Sequence, residues 1–420
     1  MSEMYDFAIV GAGLAGLNSA YQILKKKPNA KILLLEKNER IGGRIKSVNL
    51  HHQHNYEAGS IRFYPSHVHL LKLLQEFKQT KKDFYVIPQD MKINYALTQK
   101  KYQKHKETDM QLYKILLDEK NIESISEKER LKITLSQYAE KILGKGKTDY
   151  LKVLNAFDHI FETSMKYGLY LLDRDFVQVP EYYILKNMTL TDLLYKMLDT
   201  MKLDLHLSEE LVSYKVRQSR KKNAQITLEV KTNLSTYQAK NLILAVPPKP
   251  LKRLKSLPPK LVNSVFGVPL CRMFAIYPER NYWYHNIDAT YTNENVQRIY
   301  LKGTRLVQIA YSSGESADYW EDLSHSLPEQ KKQLQKQLTK MFPKKKIGHP
   351  EWLATHFWDA GVNIWKPNVE GDVVTEEIIQ VDSNIPVYVA NEAYSKQQRW
   401  MEGAMEMSHR VVELIFSKKK

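Results

Sequence analysis

Gly11-Ala12-Gly13-Leu14-Ala15-Gly16 sets three glycines at the spacing with which a strand-to-helix turn cradles a pyrophosphate. The first glycine makes the turn, the second lets backbone approach phosphate oxygens, and the third packs helix on strand. The helix start then offers unpaired N–H groups and a partial positive charge to an anion. Glu36 closes a second apolar run 20 residues after Gly16, where an acid accepts ribose hydroxyls and disfavours a 2′-phosphate. A tight turn in a protein without a nucleotide can also be glycine-rich, but strand, helix and acid together favour a dinucleotide other than NADP. Lys37 follows the acid, and Glu39-Arg40-Ile41-Gly42-Gly43-Arg44 then brings a second glycine pair and a cation toward the same phosphates. NAD-binding units do not need this second element, so the pattern points to FAD.

The elements that must position these residues can be read from periodicity. Phe7 to Val10 is a short apolar strand, Leu14 to Leu24 has helical spacing, Pro28-Asn29 stops it, and Lys31 to Glu36 is the second strand. Residues 67–77 read as an amphipathic helix, and Ser124 to Thr200 as mostly helical with a break at Gln178-Val179-Pro180. Ile226 to Val230 and Leu242 to Val246 are β-rich, and further strand-like segments lie between Phe274 and Tyr311. The chain ends in a strand at Pro386 to Ala390 and a helix from Met401 to Phe416. The expected fold is α/β, with a Rossmann-like FAD-binding domain and a mixed α+β substrate domain. The FAD domain is expected to be discontinuous, at 1–77, 203–255 and 351–420, with 78–202 and 256–350 forming the substrate domain.

Composition bounds the rest. At 420 residues with 43% hydrophobic and 26% charged residues, the chain can bury a large core. Its one cysteine, Cys271, excludes an intrachain disulfide. Neither a leader nor an apolar membrane span is expected, which implies a soluble, intracellular, cytoplasmic protein with no membrane partner. The net charge of +16 comes from dispersed lysines at 25–27, 100–106, 221–222, 344–346 and 418–420. A solvated surface accounts for them; nucleic acid or another polyanion is the second reading, and the oligomeric state is open. His51, His52, His54, His67 and His69 lack the regular spacing and cysteine partners of a metal site, so no metal is expected. Ser312-Ser313-Gly314-Glu315-Ser316 lacks the order of a nucleophile elbow.

Four segments carry a resemblance to a known family: Gly11 to Arg44, Glu57-Ala58-Gly59-Ser60-Ile61-Arg62, Val387 to Glu392, and Trp400-Met401-Glu402-Gly403-Ala404. They resemble the flavin-containing amine oxidases, which include monoamine, polyamine and L-amino-acid oxidases; the Gly59 to Arg62 segment is most similar to the last branch. The resemblance implies FAD contacts from Gly59, Ser60, Ile61 and Arg62 at the flavin ring, and from Glu392 at the ribityl and pyrophosphate groups. It further implies an adenine contact from the Leu211 backbone, and N–H groups of the helix start at Met401 on a pyrimidine oxygen. Trp400 would wall the substrate cavity, while Arg62 and Tyr300 would hold a substrate carboxylate. Arg272 takes the place of a lysine near the flavin N5, and arginine does not readily release a proton. Gly361-Val362 has no tethering cysteine, so FAD is expected to be noncovalent. Asn363 stands where a second wall aromatic is usual, and Asn391 where a glycine is. The implied chemistry is hydride removal from the carbon of an amine or amino acid, with molecular oxygen as acceptor and hydrogen peroxide as product. A flavin-binding interaction protein with a decayed oxidase site is the alternative.

Overall fold

In the computed structural model, residues 4–50, 54–88, 92–178, 181–217, 226–279, 282–301 and 305–417 are described. His51, His52, Val179, Pro180, Lys221, Lys222 and Lys418 to Lys420 therefore lie outside the described residues. The chain forms two compact units: Met1–Ile87, Tyr182–Phe266 and Glu370–Lys420 make the first, and Pro88–Glu181 and Gly267–Val369 the second.

The first unit is built on a five-stranded parallel sheet. Its order is Val387–Val389, Leu242–Leu244, Phe7–Val10, Ile32–Leu35 and Asp204–His206. Every residue of the four strands other than Asp204–His206 is buried, which explains why they read as continuous apolar runs and do not alternate. The helices Leu14–Lys26 and Met401–Ser417 pack on each other, and Asn18 Nδ2 donates to Ser408 Oγ at 2.6 Å between them. Thus the first and last segments of the sequence share one sheet and one helix pair.

Asp6, just before the strand Phe7–Val10, accepts hydrogen bonds from Lys27 and Lys240, both at 2.7 Å. Burial pushes its carboxyl up, but the bonds from Lys240, Lys27 and the Lys31 N–H outweigh it and hold the group down at about 2. A depressed folded-state value gives stability that is complete above the ordinary aspartate range and is lost as pH falls through about 2. Asp6→Asn is accordingly expected to cost about 2 kcal/mol at pH 7. The gap to the parent should narrow below the ordinary aspartate range and close in thermal melts taken below about pH 2.

The second unit contains an antiparallel sheet in the order Leu306–Ser313, Val265–Ile276, Trp352–Trp365. Its core includes Met273, Tyr277, Trp320, Leu334 and Leu338. Short helices precede that sheet in sequence, two of them opened by capping boxes at Thr108 and Thr134.

One sequence expectation gains detail and two are corrected. The stretch 124–200 is mostly helical, and the expected break at 178–180 leads into the strand Glu181–Leu185, where Tyr183 exchanges backbone hydrogen bonds with Phe63 at 2.8 and 3.1 Å. Long-range pairing decides such a short aromatic and aliphatic run, and local periodicity does not. The helix Leu190–Asp199, placed by sequence in the substrate domain, belongs to the first unit, where its apolar face of Leu190, Leu193, Leu194 and Met197 packs near the helix Leu14–Lys26. The strand Trp352–Trp365, placed in the FAD domain, belongs to the second unit because it extends that antiparallel sheet.

Candidate functional site

The C-terminal ends of the parallel strands bring the glycine segments together. Gly11 follows Val10 with φ +102°, and a Cβ there would lie 2.5 Å from the Ala245 oxygen, so only glycine fits the turn. Gly13 forms a bridge with Gly42, whose N–H donates to the Ala12 oxygen at 2.8 Å. A Cβ on Gly13 would meet nothing nearer than Gly42 O and Gly43 Cα at 4.0 Å. The protein itself does not crowd Gly13; its bareness leaves a backbone-lined space at the helix start. The helix Leu14–Lys26 has no side-chain cap and no acid in its first turn, so its leading N–H groups remain suited to an anion. Leu14 and Ala15 are buried beneath it. This cradle fits a pyrophosphate.

Charged side chains brace the cradle. Glu36 is buried; its Oε2 accepts the Ala12 N–H at 2.9 Å, and its Oε1 accepts the Asn38 N–H at 2.9 Å and Nδ2 at 2.6 Å. Its carboxylate thus pins the glycine turn and retains further acceptor positions. The segment to Leu211 runs alongside, with Glu36 N–H donating to the His206 oxygen and Glu209 N–H to the Glu36 oxygen, both at 2.9 Å. Lys37 is exposed beyond the strand. Arg44 donates through Nη2 to Glu392 Oε2 at 2.7 Å, and Glu392 Oε1 accepts the Arg399 N–H. Glu392, itself buried, therefore ties the Gly42–Gly43 turn to the residue before Trp400, where Arg399 adopts φ +76°. Asn391 is extended at φ −143° and not left-handed, so it meets no glycine requirement; its Oδ1 accepts the Ala393 N–H at 2.7 Å.

Arg40 went unnoticed in the sequence beside Arg44. Its guanidinium donates to the carbonyls of Ile41 and Ile45 at 3.0 Å and of Gly43 at 2.7 Å, wiring the turn from behind. Burial pulls its pKa down while Glu36 pulls it up. Arg40→Met is expected to weaken cofactor retention about tenfold or more by freeing that turn, measured as the flavin dissociation constant.

The remaining predicted residues of this unit also converge. Gly59 packs where a Cβ would sit 2.0 Å from the Arg44 oxygen, and Ser60 N–H donates to that oxygen at 3.0 Å. Ile61 and Arg62 are half-buried, and the Arg62 guanidinium lies 4.5 Å from the centre of the Tyr182 ring. Trp400 packs on Tyr64 and His67, with ring centres 4.4 and 5.2 Å away. His67 Nδ1 accepts the Tyr64 N–H at 3.2 Å, which assigns the ring proton to Nε2. Met401 opens the last helix, and Gly403 is required there because a Cβ would lie 2.5 Å from the Gln397 oxygen. Tyr64, His67 and Tyr182 had no motif to announce them; only pairing in space does so.

Arg272 and Tyr300 belong to the second unit, which groups them around Gln308. Arg272 is buried, donates through Nη2 to Gln308 Oε1 at 2.9 Å, and lies over the Phe274 and Tyr311 rings. Tyr300 exchanges backbone hydrogen bonds with Gln308 at 2.9 and 3.2 Å, and its hydroxyl meets that of Tyr291 at 3.2 Å. Gln308 was missed because a lone glutamine in a strand carries no pattern. Arg298, also missed, is fully buried with its guanidinium against the Phe157 and Tyr311 rings. Asn363 is buried with Oδ1 3.5 Å from where a Cβ on Gly267 would lie, and a Cβ on Gly361 would strike Leu270. Cys271 is buried in the strand Val265–Ile276, and burial pushes its thiol well above the ordinary range.

Among the described residues, no group of three or more His, Cys, Asp and Glu could hold a metal, and no helix is long and apolar enough to cross a membrane.

Comparison with known proteins adds the family. A profile of flavin-containing amine oxidoreductases matches residues 14–415. An uncharacterized protein of Acanthamoeba polyphaga mimivirus is 32% identical over 128 residues, 28% of this chain and 25% of that protein. A probable flavin-containing monoamine oxidase A of Dictyostelium discoideum is 37% identical over 76 residues, 18% of this chain and 16% of the relative. The matches thus span a quarter or less of those relatives' own length. Among solved structures, putrescine oxidase bound to putrescine superposes with a TM-score of 0.73 at 18% identity, covering 99% of this chain and 100% of that one. With the family profile spanning nearly the whole sequence, the chain belongs to the flavin-containing amine oxidoreductases.

Proposed function

We propose that the chain binds FAD noncovalently and oxidises the carbon bearing an amine, with molecular oxygen as electron acceptor and hydrogen peroxide as product. The observation that carries the reading is the cradle in which Gly13 faces Gly42 and Gly43 without an intervening side chain, its rim braced by Glu36, Arg44 and Glu392. Gly11 to Gly16 and Gly42 to Arg44 would hold the pyrophosphate, Glu36 and Leu211 the adenosine, and Gly59 to Arg62 with Trp400 and Met401 the ring. FAD, when bound, supplies the acceptor for a hydride equivalent. The residues of this chain bind and orient the substrate. Trp400, fixed by Tyr64 and His67, offers a rigid aromatic wall. Arg62 can fork onto a carboxylate, and Arg272 keeps a fixed positive charge without passing a proton. Loss of two electrons and two protons leaves an imine that water hydrolyses, and oxygen takes up both pairs. An amino acid is favoured over a polyamine, because a guanidinium such as that of Arg62 attracts a carboxylate and repels a second ammonium. The lone, buried Cys271 supports a flavin without a cysteine tether.

The test is spectral. The purified protein should be yellow, release FAD on acid precipitation, and bleach anaerobically with amino acids. Bleaching by amines alone would reassign the substrate, and FAD binding with no bleaching across a broad panel would favour the interaction protein. Failure to take up FAD would sink the reading.

A further inference from the structure

We infer that Gln308, together with Arg272, forms a subsite for a carboxylate group of the substrate. The inference deepens the reading above, on which it rests. Arg272 has donors and no acceptor, so the short contact at 2.9 Å fixes the Gln308 oxygen toward Arg272 and turns its Nε2 away. That Nε2 is buried, and no hydrogen-bond acceptor lies within its reach. An amide donor left in this state costs about 1–3 kcal/mol, and such groups in folded proteins are ordinarily satisfied. A ligand oxygen would satisfy it.

The surroundings say which kind of oxygen. Gln308 lies opposite Phe274 on the neighbouring strand and makes an isolated bridge to Tyr300, so Arg272 and Gln308 share adjacent strands of one sheet and Tyr300 flanks Gln308. The Tyr311 ring is flanked by two guanidiniums, Arg298 at 4.0 Å and Arg272 at 5.1 Å from its centre. An N–H donor on a side chain that itself contacts the Arg272 guanidinium favours an oxygen that carries negative charge. A carboxylate can accept from Gln308 Nε2 with one oxygen and face the Arg272 guanidinium with the other. An ammonium there would face the Gln308 N–H donor and the like charge of Arg272.

Isothermal titration of the holoprotein with benzoate, benzamide and benzylamine tests this without turnover. The parent should bind benzoate at least about tenfold more tightly than benzylamine. Gln308→Met should lose about tenfold in benzoate affinity while melting within a few degrees of the parent. Gln308→Glu keeps an acceptor for Arg272 but replaces the amide donor by a carboxylate, so it should reverse the order and favour benzylamine. A side chain of merely structural importance would not invert selectivity. Unchanged benzoate binding in both variants, or equal binding of benzoate and benzamide by the parent, overturns the inference. Failure of the preparation to hold FAD would count against the oxidase reading and is scored separately, from the flavin spectrum.

Discussion

Gly16→Ala is expected to emerge from purification colourless and destabilised, whereas Gly13→Ala should be colourless yet melt like the parent stripped of flavin. A Cβ on Gly16 would lie 1.9 Å from the Gly11 oxygen and 3.3 Å from the Ala245 Cβ. The oxygen is backbone and cannot swing aside, and Gly11 is itself wedged against Ala245. The helix Leu14–Lys26 would have to lift from the strand Phe7–Val10, costing about 3 kcal/mol and pulling its N–H groups out of line. Gly13 differs, because a methyl there meets protein only at 4.0 Å and its φ of −77° suits any residue. What it would fill is the space assigned to the pyrophosphate. The ratio of flavin to protein absorbance, taken with the melting temperature, separates the two effects. A yellow Gly13→Ala protein would mean that the cradle is not the cofactor site.

How much of this was legible in the sequence depends on range. The glycine turn, Glu36 and the Gly42–Arg44 element could be read because each acts through its own backbone and a fixed spacing. The parallel strands could be read because burial on both faces leaves continuous apolar runs. Residues that act by meeting distant partners could not. Tyr182 lies 120 positions from Arg62 in a segment that reads as helical, and Gln308 gains its meaning only from the strand carrying Arg272. Arg40 and Arg44 look alike in sequence, yet one threads three local carbonyls and the other reaches Glu392. Glycine spacing shows where a phosphate can lie; it does not show which side chains hold the surrounding turns still.

Glu402→Ala is the second large effect expected, on the order of 3–4 kcal/mol in urea unfolding. The helix Val68–Glu76 begins with no side-chain cap of its own and no acid in its first turn. Glu402, from the first turn of the helix Met401–Ser417, supplies what is missing. Its Oε1 accepts the His69 N–H at 2.9 Å and lies 2.7 Å from His69 Nδ1, and its Oε2 accepts the Leu70 N–H at 3.0 Å. One buried carboxylate thus complements the positive ends of two helices at once. Bonds of this charge-assisted kind are worth about 1.5–3 kcal/mol each, and their removal leaves buried donors without acceptors. The chain just before one helix carries Arg62, Tyr64 and His67, and the residue before the other is Trp400, which packs on Tyr64 and His67. Loosening the shared cap should therefore raise amide exchange in residues 67–72 and around 400 together. Glu402→Gln should fall between, because its oxygen can still accept one N–H while its NH₂ confronts the other donor. Should both variants unfold at the parent's urea midpoint, the carboxylate is not what holds the two helix starts in register.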